Sequence, residues 1–599
     1  MNYPICNKFC VVYYIKWEDT MNKVRKIFVG ILCISLILGL AYLNTATGLK
    51  KTSKADYSPD AFKIEKCNYS STRDTVISMK NNKYEIKRTS NLYDAKDDEN
   101  GYWTFLVYLS GNADESKNGV CSKMLDSMVR ASENNSKIKF IVCTGGASKW
   151  KKEKDKEDKT PENKRFNMSY KKIQLYMIKE GSVYPLSKIV DNQIVNISFP
   201  AVHMDNDKLF VTSMGNPDVL CSFLQNALSG DVGIVVKNDN KVEFKSETAK
   251  VTTVKEEVIE EDFSDVIEDK DDNTENNDNN NNENQEEKKE VKTVDVTYNN
   301  HIGLFIYGNN DAMDKGVAYD ENCKDYLTAS ELELALNASK GSMGNKLDLV
   351  CFDGTTSQYV EVANMLAPYS EYLVGPQCKG GYGGVKYEMV ASNIASGYTK
   401  SNYEVASDLC ETSYSASNDA VQKKVVLSAI ELSSMDNFLK RFNSTLIKLN
   451  TMVETKPNEF VKYSKAINQA AVTTDKSVDL GNFLRKIGPK IDGISYTYSS
   501  YNRLIADKVS AIRYGVNKYA TGLSVYWNMK ATDADYNFIK NNSVNPYLLN
   551  IMDASMYIGD KTSLDKYSAT RKKWDESKDY YSSNFKFVDK VANGRIGDK

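Results

Sequence analysis

The sequence predicts an α/β protein with a mostly parallel sheet flanked by helices and a helical C-terminal extension. Residues 103–109 and 138–143 are continuous apolar runs, and each ends in a loop that contains glycine. Such runs are typical of strands that are buried on both faces of a parallel sheet. A stretch with a helical pattern at 123–131 separates them, as expected when strands and helices alternate.

Further apolar runs extend the same pattern along the chain. Strands are predicted at residues 302–307, 347–352 and 372–374, a late strand at 522–527, and an added strand or hairpin arm at 172–178. One helix is predicted to begin at Asn216-Pro-Asp218, where asparagine caps and proline fits the first position. A second begins at the Thr328-x-x-Glu331 capping box, and a third covers 358–366.

The chain has 599 residues, enough for several domains. The predicted organisation is a leader or start-codon artefact (1–20), a signal peptide or signal anchor (21–50), a polar tether (51–100), a first domain part (101–229), an acidic low-complexity insert (230–298), a second part with the site (299–400) and a mostly helical C-terminal part (401–599). Net charge is −2, which gives no general attraction to nucleic acid.

The acidic insert contains a strong local charge. Between Glu256 and Glu290, 16 acidic residues face only three lysines, a local net of −13 that leaves about +11 on the rest of the chain. A segment this polar buries too little apolar surface to offset its ordering entropy. We predict a disordered, solvated linker in preference to a cation-binding tail or a processing site.

The N-terminus indicates export. The basic segment Met21-Asn-Lys-Val-Arg-Lys26 precedes an uncharged apolar run at 27–43, which is followed by small residues around Ala46 and Gly48. This is the order of a secretion signal, and 17 residues also reach the lower limit of a membrane span. We expect the protein to be extracellular, either secreted or held on a bacterial surface by residues 27–43.

Cysteine and histidine usage limits the chemistry. Eight cysteines follow the leader without the spacing of a metal site, and we predict mostly free, buried thiols. The chain has two histidines, His203 and His301. Most serine, cysteine and zinc hydrolases need a histidine as base or ligand.

Polar residues follow the predicted strands at their carboxyl ends. Asn309 follows the strand at 302–307, Asp353 and Thr355 follow the next strand, and a glycine loop at 380–384 follows the strand at 372–374. In open α/β sheets the site lies at this edge, so these residues define the candidate site.

Several segments together resemble the clostripain family of cysteine peptidases, which has the caspase–hemoglobinase fold. The resemblance covers about residues 101–590. Its blocks are Trp103-Thr-Phe-Leu-Val-Tyr-Leu109, Gly145-Gly146 with Trp150, Ser213-Met-Gly-Asn-Pro-Asp-Val-Leu220, Tyr319-Asp-Glu321 with Leu327-Thr-Ala-Ser-Glu-Leu332, Leu347-Asp-Leu-Val-Cys-Phe-Asp353, Gly381-Tyr-Gly-Gly384, Ser428-Ala-Ile-Glu-Leu432, Asp479-Leu-Gly-Asn-Phe483 and Gly522-Leu-Ser-Val-Tyr526. It implies a caspase-like sheet.

The resemblance also implies that both catalytic residues are replaced. The family has a His-Gly pair after the first catalytic strand and an Ala-Cys pair after the second. The matching pairs here are Asn309-Asn310 and Gly354-Thr355. His301 lies at the opposite end of its strand, about 26 Å away at the rise of a strand. We therefore expect no catalytic residues at these positions.

Three other groups are candidate nucleophiles. Thr355 needs an adjacent base, which Asn309 does not supply. Cys378 follows the strand at 372–374 on the correct edge, but it needs a histidine or an electropositive setting, and only Lys379 is near in sequence. Cys351 lies inside its strand and is interpreted as a core thiol. Cys378 remains the outside candidate.

Asp353 is the group most similar to a retained functional residue. The matching aspartate of the family helps to form an acidic pocket for a basic substrate side chain. The alternative is a structural aspartate that caps the next helix through the amides of Thr355 and Thr356. Gly381 and Tyr382 are predicted to shape the same cleft, and the resemblance makes calcium a candidate ion.

Three hypotheses follow. The first is an exported clostripain-like pseudopeptidase that binds a peptide or protein with basic residues through the former active-site cleft. The second is a working cysteine endopeptidase that cleaves after Arg or Lys with displaced catalytic residues. The third is a structural surface protein. The site residues favour the first.

Overall fold

The computed structural model describes residues 64–552. Within this span it leaves out residues 65, 71, 81–82, 97–99, 152–160, 206–207, 239–240, 261–289, 309–310, 379–383, 423, 468, 475, 489–490, 492, 511–519, 528–543, 546 and 549–550.

The strands in chain order are β1 (Thr75–Lys80), β2 (Lys83–Arg88), β3 (Trp103–Ser110), β4 (Ile138–Gly145), β5 (Lys172–Lys179), β6 (Ser182–Pro185), β7 (Ser187–Val190), β8 (Gln193–Asn196), β9 (Ser198–Pro200), β10 (Val202–Asp205), β11 (Lys208–Val211), β12 (Val232–Asn238), β13 (Lys241–Ser246), β14 (Val251–Glu260), β15 (Glu290–Asn299), β16 (His301–Tyr307), β17 (Val317–Asp320), β18 (Asp325–Leu327), β19 (Leu347–Asp353), β20 (Ser370–Pro376), β21 (Val426–Glu431), β22 (Val472–Thr474), β23 (Ser477–Asp479), β24 (Ile505–Ser510) and β25 (Ser524–Tyr526).

The α-helices are α1 (Asn112–Asn118), α2 (Val120–Ser132), α3 (Pro217–Ala227), α4 (Ala329–Met343), α5 (Val360–Leu366), α6 (Tyr387–Ala395), α7 (Asn402–Ser415), α8 (Asp419–Gln422), α9 (Met435–Thr455), α10 (Pro457–Ile467), α11 (Leu480–Ile487) and α12 (Ile494–Leu504). Short 3-10 turns cover Glu162–Lys164 and Leu432–Ser434.

A ten-stranded central sheet organises the fold. Its order is β24-β21-β20-β19-β16-β3-β4-β5-β6, with β9 beside β5. The strands from β4 through β3, β16 and β19 to β20 pair in parallel. Antiparallel strands extend both sides of this parallel core. The predicted α/β class, with a mostly parallel sheet flanked by helices, is confirmed.

The continuous apolar runs form strands because helices cover the sheet on both faces. Every residue of β3, β4 and β19 is buried. Successive side chains of a strand point to opposite faces, and in β3 Leu106 and Tyr108 join one core while Phe105 and Val107 join the other. Helices α3, α4, α5 and α9 pack in the first core, and α2, α6 and α7 in the second.

The predicted helix starts are confirmed. Asn216 accepts a hydrogen bond from the amide of Asp218, with Pro217 at the first helical position of α3. Thr328 and Glu331 form a complete capping box at α4. The predicted helix at 358–366 is α5. The segment at 172–178 is β5, which is antiparallel both to β4 and to its hairpin partner β6.

The predicted polar tether at 51–100 is wrong for its described part. Residues 75–88 form the β1–β2 hairpin, and Cys67 forms a disulfide with Cys221 of α3. Arg73 pairs with the buried Glu333 of α4. Composition indicated a tether because the segment is polar, but its charges have buried partners far along the chain. We call residues 64–94 the N-terminal strap.

The predicted disordered insert at 230–298 is also wrong at both ends. Residues 232–246 form the hairpin β12–β13, and β14 pairs with β15 from Val251↔Asn299 to Glu260↔Glu290. Valine, isoleucine and threonine, which favour strands, are interspersed with charged residues in β14 and β15, and this composition suits a two-stranded ribbon. The acidic centre, 261–289, lies outside the described residues.

The C-terminal part contains more strand than predicted. It provides α7–α12, but also β21 and β24 at one side of the central sheet. The late strand predicted at 522–527 is β25, which joins β22 and β23 in a separate three-stranded sheet. A single bridge between Tyr359 and Ser524 connects it to the chain before α5.

Among the described residues, no helix is both long and apolar enough to cross a membrane. The apolar run at 27–43 lies outside them. Cys67 and Cys221 are bonded, and the six other described cysteines are free. Of these six, all are buried except the half-buried Cys323, so the prediction of mostly free, buried thiols is confirmed.

Candidate active site

The carboxyl ends of β16 and β19 meet at one point. Tyr307, the last residue of β16, lies opposite Asp353, the last residue of β19. The amide of Gly308 donates to the carbonyl of Asp353 at 2.8 Å. The two loops that the family resemblance aligns with the catalytic pair therefore leave the sheet side by side.

Gly308 and Thr355 are in close contact. A Cβ atom on Gly308 would lie 1.6 Å from the Thr355 hydroxyl oxygen, so only glycine fits there. Gly354 has φ +100°, a conformation that glycine adopts readily and other residues do not. Asn309 and Asn310, the residues predicted at the paired catalytic position, lie outside the described residues.

The Thr355 side chain is fully buried, and its hydroxyl has no hydrogen-bond partner among the described residues. Ser357 Oγ and Gln358 Oε1 in the same loop are also buried without partners there. A hydroxyl becomes a nucleophile only beside a base that takes its proton. The arrangement around Thr355 provides no such group within the described residues.

Backbone hydrogen bonds hold this loop between two strand exits. The amide of Thr356 donates to the carbonyl of Asp311 at 2.9 Å, and the amide of Met313 donates to the carbonyl of Thr356 at 3.0 Å. On the other side, the amide of Ser357 donates to the carbonyl of Pro376 at 3.1 Å. The loop after β19 is therefore fixed to the ends of β16 and β20.

Asp353 lies at the centre of this edge, enclosed by α6. Only 1% of the residue is exposed. Its carboxyl accepts from the amide of Val385 at 3.1 Å and from the Tyr387 hydroxyl at 3.4 Å. Burial raises the pKa of Asp353 to about 6, although these hydrogen bonds and the charge of Lys386 oppose the shift. At neutral pH the group is an enclosed carboxylate.

The helix-capping alternative for Asp353 is wrong. Helix α5 begins at Val360 after Tyr359, with no side-chain cap. The amide of Thr356, one of the proposed partners, bonds to the Asp311 carbonyl instead. Asp353 connects β19 to the segment before α6. The neighbouring Gly381 and Tyr382 lie outside the described residues.

A second carboxylate lies near the first. The Tyr307 hydroxyl approaches Asp114 of α1 at 3.5 Å. The pKa of Tyr307 is raised by burial first, and then by the charges of Cys121, Asp114 and Asp353. Sequence reasoning missed Asp114, although it closely follows the exit of β3 at the same edge. We call Asp114, Tyr307, Asp353 and Tyr387 the acidic corner.

Cys378 follows β20 on the expected edge, but its surroundings suppress reactivity. The residue is 5% exposed and packs with Val426 and Ala520. Burial, together with the charge of Asp479, raises the pKa of its thiol to about 12. A catalytic cysteine needs the opposite shift, because the thiolate is the nucleophile.

Neither histidine belongs to this edge of the sheet. His301 is the first residue of β16, and its Nδ1 lies 2.8 Å from Asp348 at the amino end of β19. Its ring stacks on Trp103. His203 lies on β10, which forms a two-stranded sheet with β11 after β9. Strand β9 pairs with β5. Because β5 is the fourth strand away from β19 in the sheet, these two strands lie about 19 Å apart at the usual strand spacing.

Among the residues that the structure describes, no group of three or more His, Cys, Asp or Glu side chains could hold a metal ion.

A sheet with a parallel core and a cluster of site residues at its carboxyl edge is the architecture of α/β enzymes. Within that class, the chain belongs to the clostripain family of C11 cysteine peptidases, whose family model matches residues 107–581. The resemblance drawn from the sequence is confirmed. A search of curated proteins found no match.

Three of the solved structures that are similar to this chain are the following. A secreted C11 cysteine protease from Bacteroides thetaiotaomicron, in complex with an irreversible peptide inhibitor, is 11% identical with a TM-score of 0.41, covering 76% of this chain and 99% of its own. An inactive zymogen C11 protease from Parabacteroides distasonis is 11% identical with a TM-score of 0.40, covering 74% and 96%. A clostripain from Bacteroides thetaiotaomicron in complex with a peptide inhibitor is 15% identical with a TM-score of 0.25, covering 33% and 84%.

Proposed function

We propose that this protein is an exported pseudopeptidase of the clostripain family that binds peptides or proteins with basic residues through the former active-site cleft. The proposal rests on the hydroxyl of Thr355, which is buried without a partner among the described residues and which the family resemblance aligns with the catalytic cysteine. Covalent catalysis needs an ionisable nucleophile beside a base. Threonine with asparagine at the paired position supplies neither.

The acidic corner supports binding of a basic side chain. Asp114 and Asp353 place two carboxylates near Tyr307. Pairing with a guanidinium or ammonium group would offset the cost of burying a carboxylate at Asp353. Because Val385 and Tyr387 enclose this carboxyl, we propose that a basic side chain replaces their hydrogen bonds to Asp353 when it binds. Gly381 and Tyr382, which lie outside the described residues, are proposed as cleft residues on the family resemblance alone.

The disulfide supports the export part of the proposal. Cys67–Cys221 joins positions 154 residues apart, and such bonds persist mainly in oxidising compartments. Together with the basic and apolar segments at 21–43, it favours a protein outside the cytoplasm. Residues 27–43 would anchor the chain to the membrane if they are not cleaved. The family resemblance alone makes calcium the ion to include in binding and activity assays.

Binding of a short fluorescent peptide tests the proposal. The full chain should bind a peptide with a central arginine, and should bind the same peptide with citrulline at least tenfold more weakly, in the presence or absence of calcium. Asp353→Asn should lower the affinity at least tenfold, because the amide cannot pair with the guanidinium. Affinity should also fall as pH drops below 6, where Asp353 takes up a proton.

Asp408→Asn is the matched control. Asp408 is also buried, and burial raises its pKa to about 6, but it lies on α7 and accepts from Asn393. Its replacement should leave peptide affinity unchanged. The proposal that the cleft binds peptides would be wrong if the wild type showed no arginine-dependent binding. It would also be wrong if the Asp353→Asn variant bound the peptide as well as the wild type does. A structural surface protein would then be the better interpretation.

A further inference from the structure

The ribbon β14–β15 forms a sheet of its own, separate from the central sheet. Its strands pair from Val251↔Asn299 to Glu260↔Glu290, a length of about 30 Å at the rise of an antiparallel strand. Within the described part of the chain, each of these strands pairs only with the other. A two-stranded hairpin by itself is marginally stable in water, because no further strand or layer covers its apolar side chains. The ribbon therefore depends on support at its base or from a partner.

The base of β14 is fixed to the amino ends of the central strands. Lys139 Nζ of β4 donates to the carbonyls of Thr248 at 2.7 Å and Val251 at 2.9 Å. Between them, the carbonyl of Ala249 accepts from Thr104 Oγ1 of β3 at 2.7 Å. Lys139 and Thr104 are both buried, and hydrogen bonds are stronger away from water. These bonds hold the turn that leads into β14 in one position.

The base of β15 is fixed as well. Asn100 Nδ2 donates to the carbonyl of Asn299 at 2.7 Å, and the rings of Tyr102 and Tyr298 stack with their centroids 5.1 Å apart. The Tyr298 hydroxyl donates to Glu256 Oε1 at 2.6 Å, and this bond joins the two strands on one face of the ribbon. The central sheet therefore determines the direction in which the ribbon leaves it.

The same face of the ribbon carries valines that belong to neither core. Val254 lies opposite Val296, and Val294 is the next residue of β15 on this face. Neither core of the described residues includes these three side chains, and Val294 is 40% exposed. On the other face, the hydroxyls of Thr253 and Thr297 are hydrogen-bonded to each other at 2.8 Å. The described part of the ribbon is therefore apolar on one face and polar on the other.

Charge and backbone geometry indicate what kind of partner fits the ribbon. The sequence from Glu256 to Glu290 has a net charge of −13. A second copy of the chain would bring two such segments together, and like charges repel, whereas a basic partner is attracted. Each strand of a two-stranded ribbon also leaves one row of backbone groups unpaired, and an extended peptide can pair with such a row. A basic, extended segment meets both conditions.

We propose that the ribbon β14–β15 docks an extended, basic segment of a partner protein, which adds to it as a third strand. Backbone hydrogen bonds to the edge of the ribbon would supply affinity. Alternate apolar residues of the partner would cover Val254, Val294 and Val296, and the lysines or arginines between them would carry the positive charge. This surface lies at the amino edge of the central sheet, so it does not depend on the cleft around Asp353.

Hydrogen exchange followed by mass spectrometry tests the docking. The probe is a twelve-residue peptide in which valine and lysine alternate. Added to the full chain, it should slow exchange of the backbone amides in 251–256 and 293–299. The same peptide with every backbone amide N-methylated keeps its side chains and charge but has no backbone donors, and it should bind about tenfold more weakly. Docking should persist in Asp353→Asn, so that failure of the cleft proposal is distinguishable from failure of this one.

Variants of the valine face identify the surface. The Val254→Thr, Val296→Thr double variant keeps residues that favour strands but reduces the apolar area, so it should bind the peptide about tenfold more weakly. Val242→Thr, at a valine of β13 that is 63% exposed, is the matched control and should bind as the wild type does. Both variants should melt at the wild-type temperature, which separates loss of the surface from loss of the fold.

Four results would overturn the proposal. The first is unchanged exchange in 251–256 and 293–299 at the highest peptide concentration. The second is equal binding of the N-methylated peptide, which would reduce the interaction to attraction between charges. The third is binding by the double variant that equals that of the wild type. The fourth is a concentration-dependent dimer in sedimentation velocity that the double variant abolishes, which would make a second copy of the chain the occupant.

Discussion

At the residue scale, the candidate site is defined by what surrounds Thr355. The side chain lies against Gly308, so closely that a Cβ atom on Gly308 would not fit. Its hydroxyl is buried without a partner among the described residues. Among the residues that the structure describes, no base contacts this hydroxyl, and a hydroxyl needs one to become a nucleophile.

Thr355→Val tests this environment directly. Valine has nearly the shape of threonine but no hydroxyl, so removing an unpartnered buried hydroxyl should leave stability unchanged or raise it by about 1 kcal/mol. Thr104→Val is the matched control, because the Thr104 hydroxyl donates to the Ala249 carbonyl and accepts from Asn300. That variant should lose about 1–3 kcal/mol. Urea unfolding of both gives the comparison, and a larger loss for Thr355→Val would show that its hydroxyl has a partner.

Sequence reasoning located these residues but not their surroundings. The order of strands and loops was enough to place Asp353, Thr355 and Cys378 at one edge, and the same prediction for Asn309 falls outside the described residues. It could not show that Asp353 is enclosed by Val385 and Tyr387, because that contact joins segments more than 30 residues apart. The burial of Cys378 is hidden in the sequence for the same reason.

At the scale of elements, α5 connects the site loop to the C-terminal layer. Glu361 in its first turn is 1% exposed, and its carboxyl accepts from the amide of Tyr526 in β25. Burial raises the pKa of Glu361 to about 8. The carboxyl is therefore protonated in the folded protein at neutral pH, whereas it is ionised in the unfolded chain.

This difference predicts a pH dependence of stability. A carboxyl whose pKa is raised by folding contributes to stability at pH values below its pKa in the unfolded chain, near 4.5. This contribution is lost as pH rises to about 8, the pKa in the folded protein. Glu361→Gln, which cannot ionise, should equal the wild type near pH 4.5. It should become more stable than the wild type by on the order of 4 kcal/mol at pH 8.5. Denaturant unfolding across this range measures the change.

Glu388→Gln is the control for that experiment. The hydrogen bond from Arg130 lowers the pKa of Glu388, and the side chain is largely exposed. The small contribution of Glu388 to folding stability is present at neutral pH and is lost as pH falls. This pH dependence is opposite to that of Glu361. If Glu361→Gln and the wild type lose stability in parallel between pH 5 and 8, the assignment of a neutral buried carboxyl is wrong.

Elements with strong local signals were predictable. The apolar strands β3, β4, β16 and β19 and the capped helices α3 and α4 agree with their sequence patterns. The strand pairs β1–β2 and β14–β15 were missed, because the high share of polar and charged residues in these segments concealed the strand-forming residues between them. The hairpin β1–β2 is held in place by contacts with distant parts of the chain, and composition does not reveal such contacts.

At the scale of the whole molecule, the N-terminal strap closes the fold across distant parts of the chain. Its disulfide to α3 is supported by Asp218, which accepts from the amide of Cys67 and the hydroxyl of Tyr69. Arg73 pairs with Glu333, and Arg88 donates to Asp436 and to the carbonyl of Asn364. The strap is therefore part of the folded domain.

Removing the disulfide should lower global stability. The Cys67→Ser, Cys221→Ser double variant should lose about 2–5 kcal/mol, because the unfolded chain is no longer restricted. A reductant should reduce the stability of the wild type by a similar amount and leave the double variant unaffected. Cys323→Ser, at a half-buried free thiol, should respond to reductant as the wild type does. A wild type insensitive to reductant would exclude the disulfide.

The resemblance of the whole chain was predictable because its blocks occur in order over almost the full domain. Each block by itself is short and unspecific. The family followed from their combination, and the match over residues 107–581 agrees with it. The organisation outside the blocks, including the strap and the ribbon β14–β15, had no such support.

Turnover of arginyl and lysyl amide substrates by the purified full chain, with reductant and calcium present, tests the central claim most directly. An active member of the clostripain family serves as the positive control. The structure leads us to expect no hydrolysis above the rate of the buffer alone, and no change in Cys378→Ala. Hydrolysis by the wild type that disappears in Cys378→Ala would contradict the account and establish a peptidase with a displaced nucleophile.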